Sequence, residues 1–155
     1  MKRRRAGFTI IELLMVMIVI GILAGMAILK YIELRHRARA AAVVAALESV
    51  RLAGYGAFYE TGNWPSDAGA GSVPAGMTQY LPANFSFDTP DYTLDWENFV
   101  PPGGGPSGGM QVGIVFTAAD PALQQAMVQM LGNKLPFIYV SGTLTFVIVG
   151  PDGQS

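Results

Sequence analysis

The chain has 155 residues, 51% of them hydrophobic, room for one modest domain beside an apolar segment. It carries no cysteine and one histidine, so a disulfide framework is excluded and little material is left for a transition-metal site or a Cys–His or Ser–His–Asp apparatus. The formal charge of −1 hides an asymmetry. Four of the ten basic residues lie in 1–7, whereas from Glu60 onward eight acidic residues face one basic residue, Lys134, which argues against nucleic acid as a partner of that part.

The first seven residues hold Lys2, Arg3, Arg4 and Arg5 and end in Ala6-Gly7. Phe8 to Leu29 follows, 22 residues with one ionisable side chain, Glu12. As a helix this stretch is about 33 Å long, a match for the roughly 30 Å hydrocarbon core of a bilayer. Four positive charges directly before it place the N-terminus in the cytoplasm. The small residues Ala6 and Gly7 precede the apolar run instead of following it, so a peptidase reading this site would leave the span attached. A charge inside a span costs a few kcal/mol, so Glu12 calls for a reason: a charge partner, or a place near the membrane edge where its head group reaches water.

A basic leader ending in Gly7, then Phe8-Thr9-x-x-Glu12, then an apolar run, resembles the type IV prepilin family, which includes the pseudopilins of type II secretion. The resemblance covers Lys2 to about Leu29. It implies cleavage between Gly7 and Phe8 by a prepilin peptidase, N-methylation of Phe8 and assembly into a helical filament with other pilin-like subunits on an assembly platform protein. It also implies that Glu12 pairs with the terminal amine of a neighbouring subunit. The location implied is the bacterial inner membrane, head in the periplasm, and then the pilus or pseudopilus. Many pilins have a C-terminal disulfide, and a proline where Leu29 stands. This chain has neither, so a kinked stem is not expected.

Beyond Leu29 the helical pattern continues. Lys30 to Tyr59 lacks proline, and Val43, Ala46, Leu47, Val50, Ala53, Ala57 and Phe58 recur at three- and four-residue intervals. One helix from about Thr9 to Tyr59 is expected, apolar all round in its first half and amphipathic over 30–60, with Gly62 and Pro65 as its stop. Residues 61–90 read as a connecting loop pinned by aromatics, with a short helix near Ala75 to Tyr80. Alternation predicts strands at Tyr92 to Glu97, Met110 to Thr117 and Thr143 to Ile148, and a fourth short one over Leu135 to Val140, turned by Ser141-Gly142. Asp120, Pro121 and Gly132 mark the cap, first turn and end of a short helix whose Leu123, Ala126, Met127, Met130 and Leu131 share a face. The expected fold is α+β: a leader over 1–7, a membrane helix over 8–29, an amphipathic helix over 30–60, and a head over 61–155 whose antiparallel sheet occupies 91–149 and covers the amphipathic stripe.

Other candidates are weaker. Gly21 and Gly25 form a Gly-x-x-x-Gly pair suited to close helix contact, or arise by chance in a glycine-tolerant span. Lys30, Arg35, Arg37 and Arg39 form a basic collar that pairs with acidic heads of neighbours or lies solvated at the lipid phosphates. His36 reads as a surface helix residue. Gly103, Gly105 and Gly108 fit a dinucleotide fingerprint only formally, since a strand pattern follows where a helix is needed. Asp88, Asp91, Asp95 and Glu97 match no calcium loop and read as a solvated acidic face. The leading expectation is a structural subunit, without catalytic residues, metal or cofactor, that polymerises into a type IV pilus or type II secretion pseudopilus. The alternative is a monomeric membrane-anchored binding module with a groove near Trp64, Tyr80 and Trp96.

Overall fold

The computed structural model describes residues 7–99, 111–132, 137–140 and 143–149. The expected leader up to Ala6, the glycine-rich stretch between the first two strands and the Ser141-Gly142 turn lie outside them. Helix α1 (Ile10–Thr61) is followed by a 3-10 turn (Thr78–Tyr80), strands β1 (Thr93–Phe99) and β2 (Gln111–Thr117), helix α2 (Pro121–Leu131), and strands β3 (Phe137–Val140) and β4 (Thr143–Val149). The long helix, the four strands and α2 stand where the periodicity puts them, within one to two residues for most ends. The helix expected near Ala75 to Tyr80 is reduced to the single 3-10 turn.

The described chain divides into two compact units, one ending at His36 and one beginning at Arg37. In the first, α1 is solvent-exposed over almost every residue. In the second, the rest of α1 lies on an antiparallel sheet of order β1-β2-β4-β3. The last strand therefore inserts between β2 and β3. Leu94 pairs with Phe116 and Ile114 with Phe146, which brings the inward residues of three strands into one layer. That layer, the α1 stripe from Ala40 to Ala57, the α2 residues Leu123, Met127 and Leu131, and Met77 and Phe87 from the connecting loop form one buried apolar cluster. The Asp120 carboxylate accepts from the Ala122 N–H at 2.9 Å, and the Gly132 N–H closes α2 on the Val128 carbonyl. Gly62, at a φ of 74°, stops α1 by donating to the Phe58 carbonyl.

Two glycines inside α1 set how closely the sheet approaches. A methyl group at Gly54 would stand 2.3 Å from Cη2 of Trp96, and one at Gly56 would stand 2.8 Å from Cδ1 of Tyr80. Trp96 is fully buried, and its indole N–H donates to the Pro65 carbonyl at 3.0 Å. It cannot retreat. Gly54→Ala gains helix propensity of up to about 1 kcal/mol but overpacks the indole, so a net loss of about 1 to 2 kcal/mol is expected in thermal or urea denaturation of the full chain. Gly56→Ala meets the Tyr80 ring, which is 37% exposed but held over Gly56 by its hydroxyl bond to Glu60, so the ring must shift outward and a smaller loss than at Gly54 is expected. Equal effects at the two positions would contradict this packing.

On the outer sheet face, burial and, next, the Asp67 charge hold the Asp95 and Glu97 carboxyls above the usual carboxylate range. The folded chain thus keeps these protons to higher pH than the unfolded chain. Their contribution to stability is greatest below the ordinary carboxylate pKa and is lost as pH rises through the raised values. Asp95→Asn should therefore raise the melting temperature at pH 7, and the gain should vanish near about pH 3, where the aspartate is protonated in both states. Calorimetry at the two pH values measures this.

Candidate processing and assembly site

Gly7, Phe8 and Thr9 precede the first helical residue, and all three are exposed, Phe8 at 74%. The bond between Gly7 and Phe8 is accordingly non-helical and accessible, the form in which a peptide bond can enter a protease cleft. Lys2, Arg3, Arg4 and Arg5 lie outside the described residues.

Thr9 caps α1. Its hydroxyl oxygen accepts from the Glu12 N–H at 3.3 Å, and the hydroxyl donates to Oε2 of Glu12 at 3.4 Å. This Thr-x-x-Glu pair is a capping-box arrangement that satisfies a backbone donor at the helix start, where no earlier turn supplies an acceptor. An acidic side chain in the first turn also suits the positive end of the helix dipole. The spacing was open to view in the sequence. Reading Glu12 only as a charge partner overlooks that Thr9 holds its carboxylate.

Along the stem the most apolar window has a mean hydropathy of 2.6, and none of it is buried. Gly21 and Gly25 have open space where a Cβ would stand, so no described residue occupies the notch they make. At the collar, Lys30 pairs with Glu33 at 2.9 Å, and Arg39 reaches Asp91 of its own head at 3.7 Å. Such exposed pairs are worth less than about 1 kcal/mol each. His36 is half-buried, not fully at the surface as expected.

The other candidates do not converge. Asp88 accepts from the Thr93 hydroxyl, Asp91 faces Arg39, and Asp95 and Glu97 share the outer sheet face. Among the described residues no group of three acidic or histidine side chains is placed to hold a metal. The aromatic groove expected near Trp64, Tyr80 and Trp96 is filled by the rings themselves. Trp64 stacks on Phe58 at 4.6 Å, meets Tyr55 edge-on at 5.3 Å and lies 6.3 Å from the buried Trp96. Tyr80 lies over Gly56, and its hydroxyl donates to Glu60, which also accepts from Gln79 at 2.9 Å. That bond to Glu60 is the main reason the Tyr80 hydroxyl titrates above its usual range. These aromatics fasten the connecting loop to α1. Sequence reading missed their seats at Gly54 and Gly56, although a glycine inside a helical pattern is itself a signal of close approach.

No curated protein and no solved structure matches the chain. Residues 2–28 match the family described as the prokaryotic N-terminal methylation motif. With its open Gly7–Phe8 bond, its Thr9–Glu12 cap and its bare apolar stem, the N-terminus of this chain carries the signature of type IV pilins and pseudopilins.

Proposed function

We propose that this chain is a prepilin: a structural subunit that loses residues 1–7, is N-methylated at Phe8, and polymerises into a type IV pilus or a type II secretion pseudopilus. The observation that carries the reading is the methylation motif over residues 2–28, set on an exposed bond directly before a capped helix. A prepilin peptidase is the processing enzyme, and other pilin-like subunits and an assembly platform protein are the partners. The chain crosses the inner membrane once, N-terminus in the cytoplasm and head in the periplasm.

The physics of the stem supports this reading. Cleavage would create an ammonium at Phe8 four residues before the Glu12 carboxylate, both inside an apolar rod. Either charge alone in hydrocarbon costs several kcal/mol, and placing one opposite the other in a neighbouring copy removes most of that cost. The uncovered stem and the notch at Gly21 and Gly25 supply the apolar contact between copies. A monomeric binding module is not favoured, because the aromatic side chains that would line its groove are packed against one another.

Mass spectrometry of protein from membranes that contain a prepilin peptidase should find a chain beginning at methylated Phe8. An intact leader there would count against the proposal. Glu12→Ala should abolish or sharply reduce filaments seen by electron microscopy, while the head melts at the wild-type temperature.

A further inference from the structure

Over residues 30–39, α1 carries four cations, Lys30, Arg35, Arg37 and Arg39, against one carboxylate, Glu33, a local charge of +3 with His36 neutral. Basic clusters beside a membrane span attract anionic lipid. Lys30 and the exposed Tyr31, directly past the apolar run, are the cation and aromatic that settle at a membrane interface. Arg37 follows Leu29 by eight residues, about 12 Å of helix, and helical side chains lean back toward the N-terminus. The headgroup layer of one leaflet extends about 5 to 7 Å beyond the hydrocarbon. The long Arg37 side chain is therefore within reach of lipid phosphates.

Arg37 does not stand on bare helix. With Ala126, Gln129 and Met130 of α2 it lines an open cavity of about 310 Å³, at the low end of the range for small-molecule sites. The lining offers one cation, one amide and two apolar side chains, and no carboxylate. Nor does α2 carry any ionisable residue from Pro121 to Leu131, so no charge of its own repels an anion there. A guanidinium grips a phosphate by two parallel N–H bonds. Arg37 also interacts within its own chain, and its five N–H donors allow both. The exposed Gln129 amide both donates and accepts, as a hydroxylated headgroup requires. Half-buried Ala126 and Met130 give apolar surface to the glycerol and the first methylenes. A free phosphate would leave that wall unused. We infer that the cavity between Arg37 and α2 holds the headgroup of an anionic phospholipid from the leaflet on the head's side of the membrane. The inference rests on the membrane-anchored reading above and adds a role before assembly: the lipid fastens the head to the leaflet, and the subunit gives it up on entering a filament.

Full-length protein in nanodiscs of equal phosphatidylglycerol and phosphatidylcholine, released for native mass spectrometry, tests this. Wild type should retain phosphatidylglycerol over phosphatidylcholine by about fivefold, the ratio that about 1 kcal/mol per basic residue supplies. Arg37→Gln and Gln129→Glu should each bring the ratio close to one, with the melting temperature in detergent unchanged. Arg37→Lys keeps the charge but not the fork and should keep part of the preference. Arg35→Gln, the same loss of charge outside the cavity, should keep most of it. Glycerol phosphate in excess should not displace the lipid, because it has no apolar part to seat. The proposal is overturned if wild type shows no preference, or if Arg35→Gln and Arg37→Gln act alike, which would make the effect one of the collar as a whole. It also falls if glycerol phosphate clears the lipid, the mark of a site for a soluble phosphate. Should Arg37→Gln lower the melting temperature while Gln129→Glu keeps the preference, Arg37 is a structural residue and the site is wrong. Protein that never enters the bilayer would sink the membrane reading itself.

Discussion

One helix in this molecule has two solvents to satisfy. The stripe of α1 from Ala40 to Ala57 is driven out of water by the sheet, and the α2 and connecting-loop residues of the described head join the same buried cluster. The sheet can approach closely only because Gly54 presents no side chain to Trp96. The indole, once seated, offers its N–H at a place where the connecting loop must supply a carbonyl, and Pro65 does so. Thus the missing methyl group at Gly54 lets β1 lie close to α1 at Trp96, and the seated indole ties the loop to the same place through Pro65. The cluster holds only apolar residues among those described, so its stability comes from area removed from water rather than from polar pairing.

The stem has no such cover within its own chain. Phe8, Ile10 and Ile11 are more than two thirds exposed, and the apolar side chains that follow are about half exposed or more as far as Leu29. A bilayer can receive them, and so can other helices. The difference lies in the two groups a bilayer cannot satisfy, the Glu12 carboxylate and the amine that processing would create. Thr9 tethers the first of these locally, yet a hydroxyl does not neutralise a carboxylate. On the proposed reading, the remaining electrostatic cost is what makes neighbours preferable to lipid, and the apolar surface sets how tightly they pack.

Charge is apportioned in the same way. Basic residues gather where the stem ends, and acidic residues dominate the head. Within one chain this yields only modest exposed pairs such as Lys30–Glu33 and Arg39–Asp91. Asp95 and Glu97 sit side by side on the outer sheet face, and their proton affinity is raised first by burial and next by the Asp67 charge. On the proposed reading, an arrangement that is mildly unfavourable in a single head would give many copies a common direction of attraction, from acidic head toward basic collar.

Much of this was legible in the residues alone, because the signals are local. The apolar run from Phe8 to Leu29, the Gly7-Phe8-Thr9-x-x-Glu12 pattern, the stripe from Val43 to Ala57 and the Asp120, Pro121 and Gly132 punctuation of α2 each depend on spacing along the chain, and backbone geometry turns spacing directly into a helix, a cap or a strand. What the tertiary structure decided depends on which residues meet across long separations. The order β1-β2-β4-β3, the seating of Trp96 and Tyr80 on Gly54 and Gly56, the separation of Asp88 and Asp91 from the Asp95–Glu97 pair, and the exposure of Leu52 and Tyr59 on the far side of α1 are all of this kind. Periodicity tells a residue which face of its own element it occupies. Only packing tells it what lies opposite.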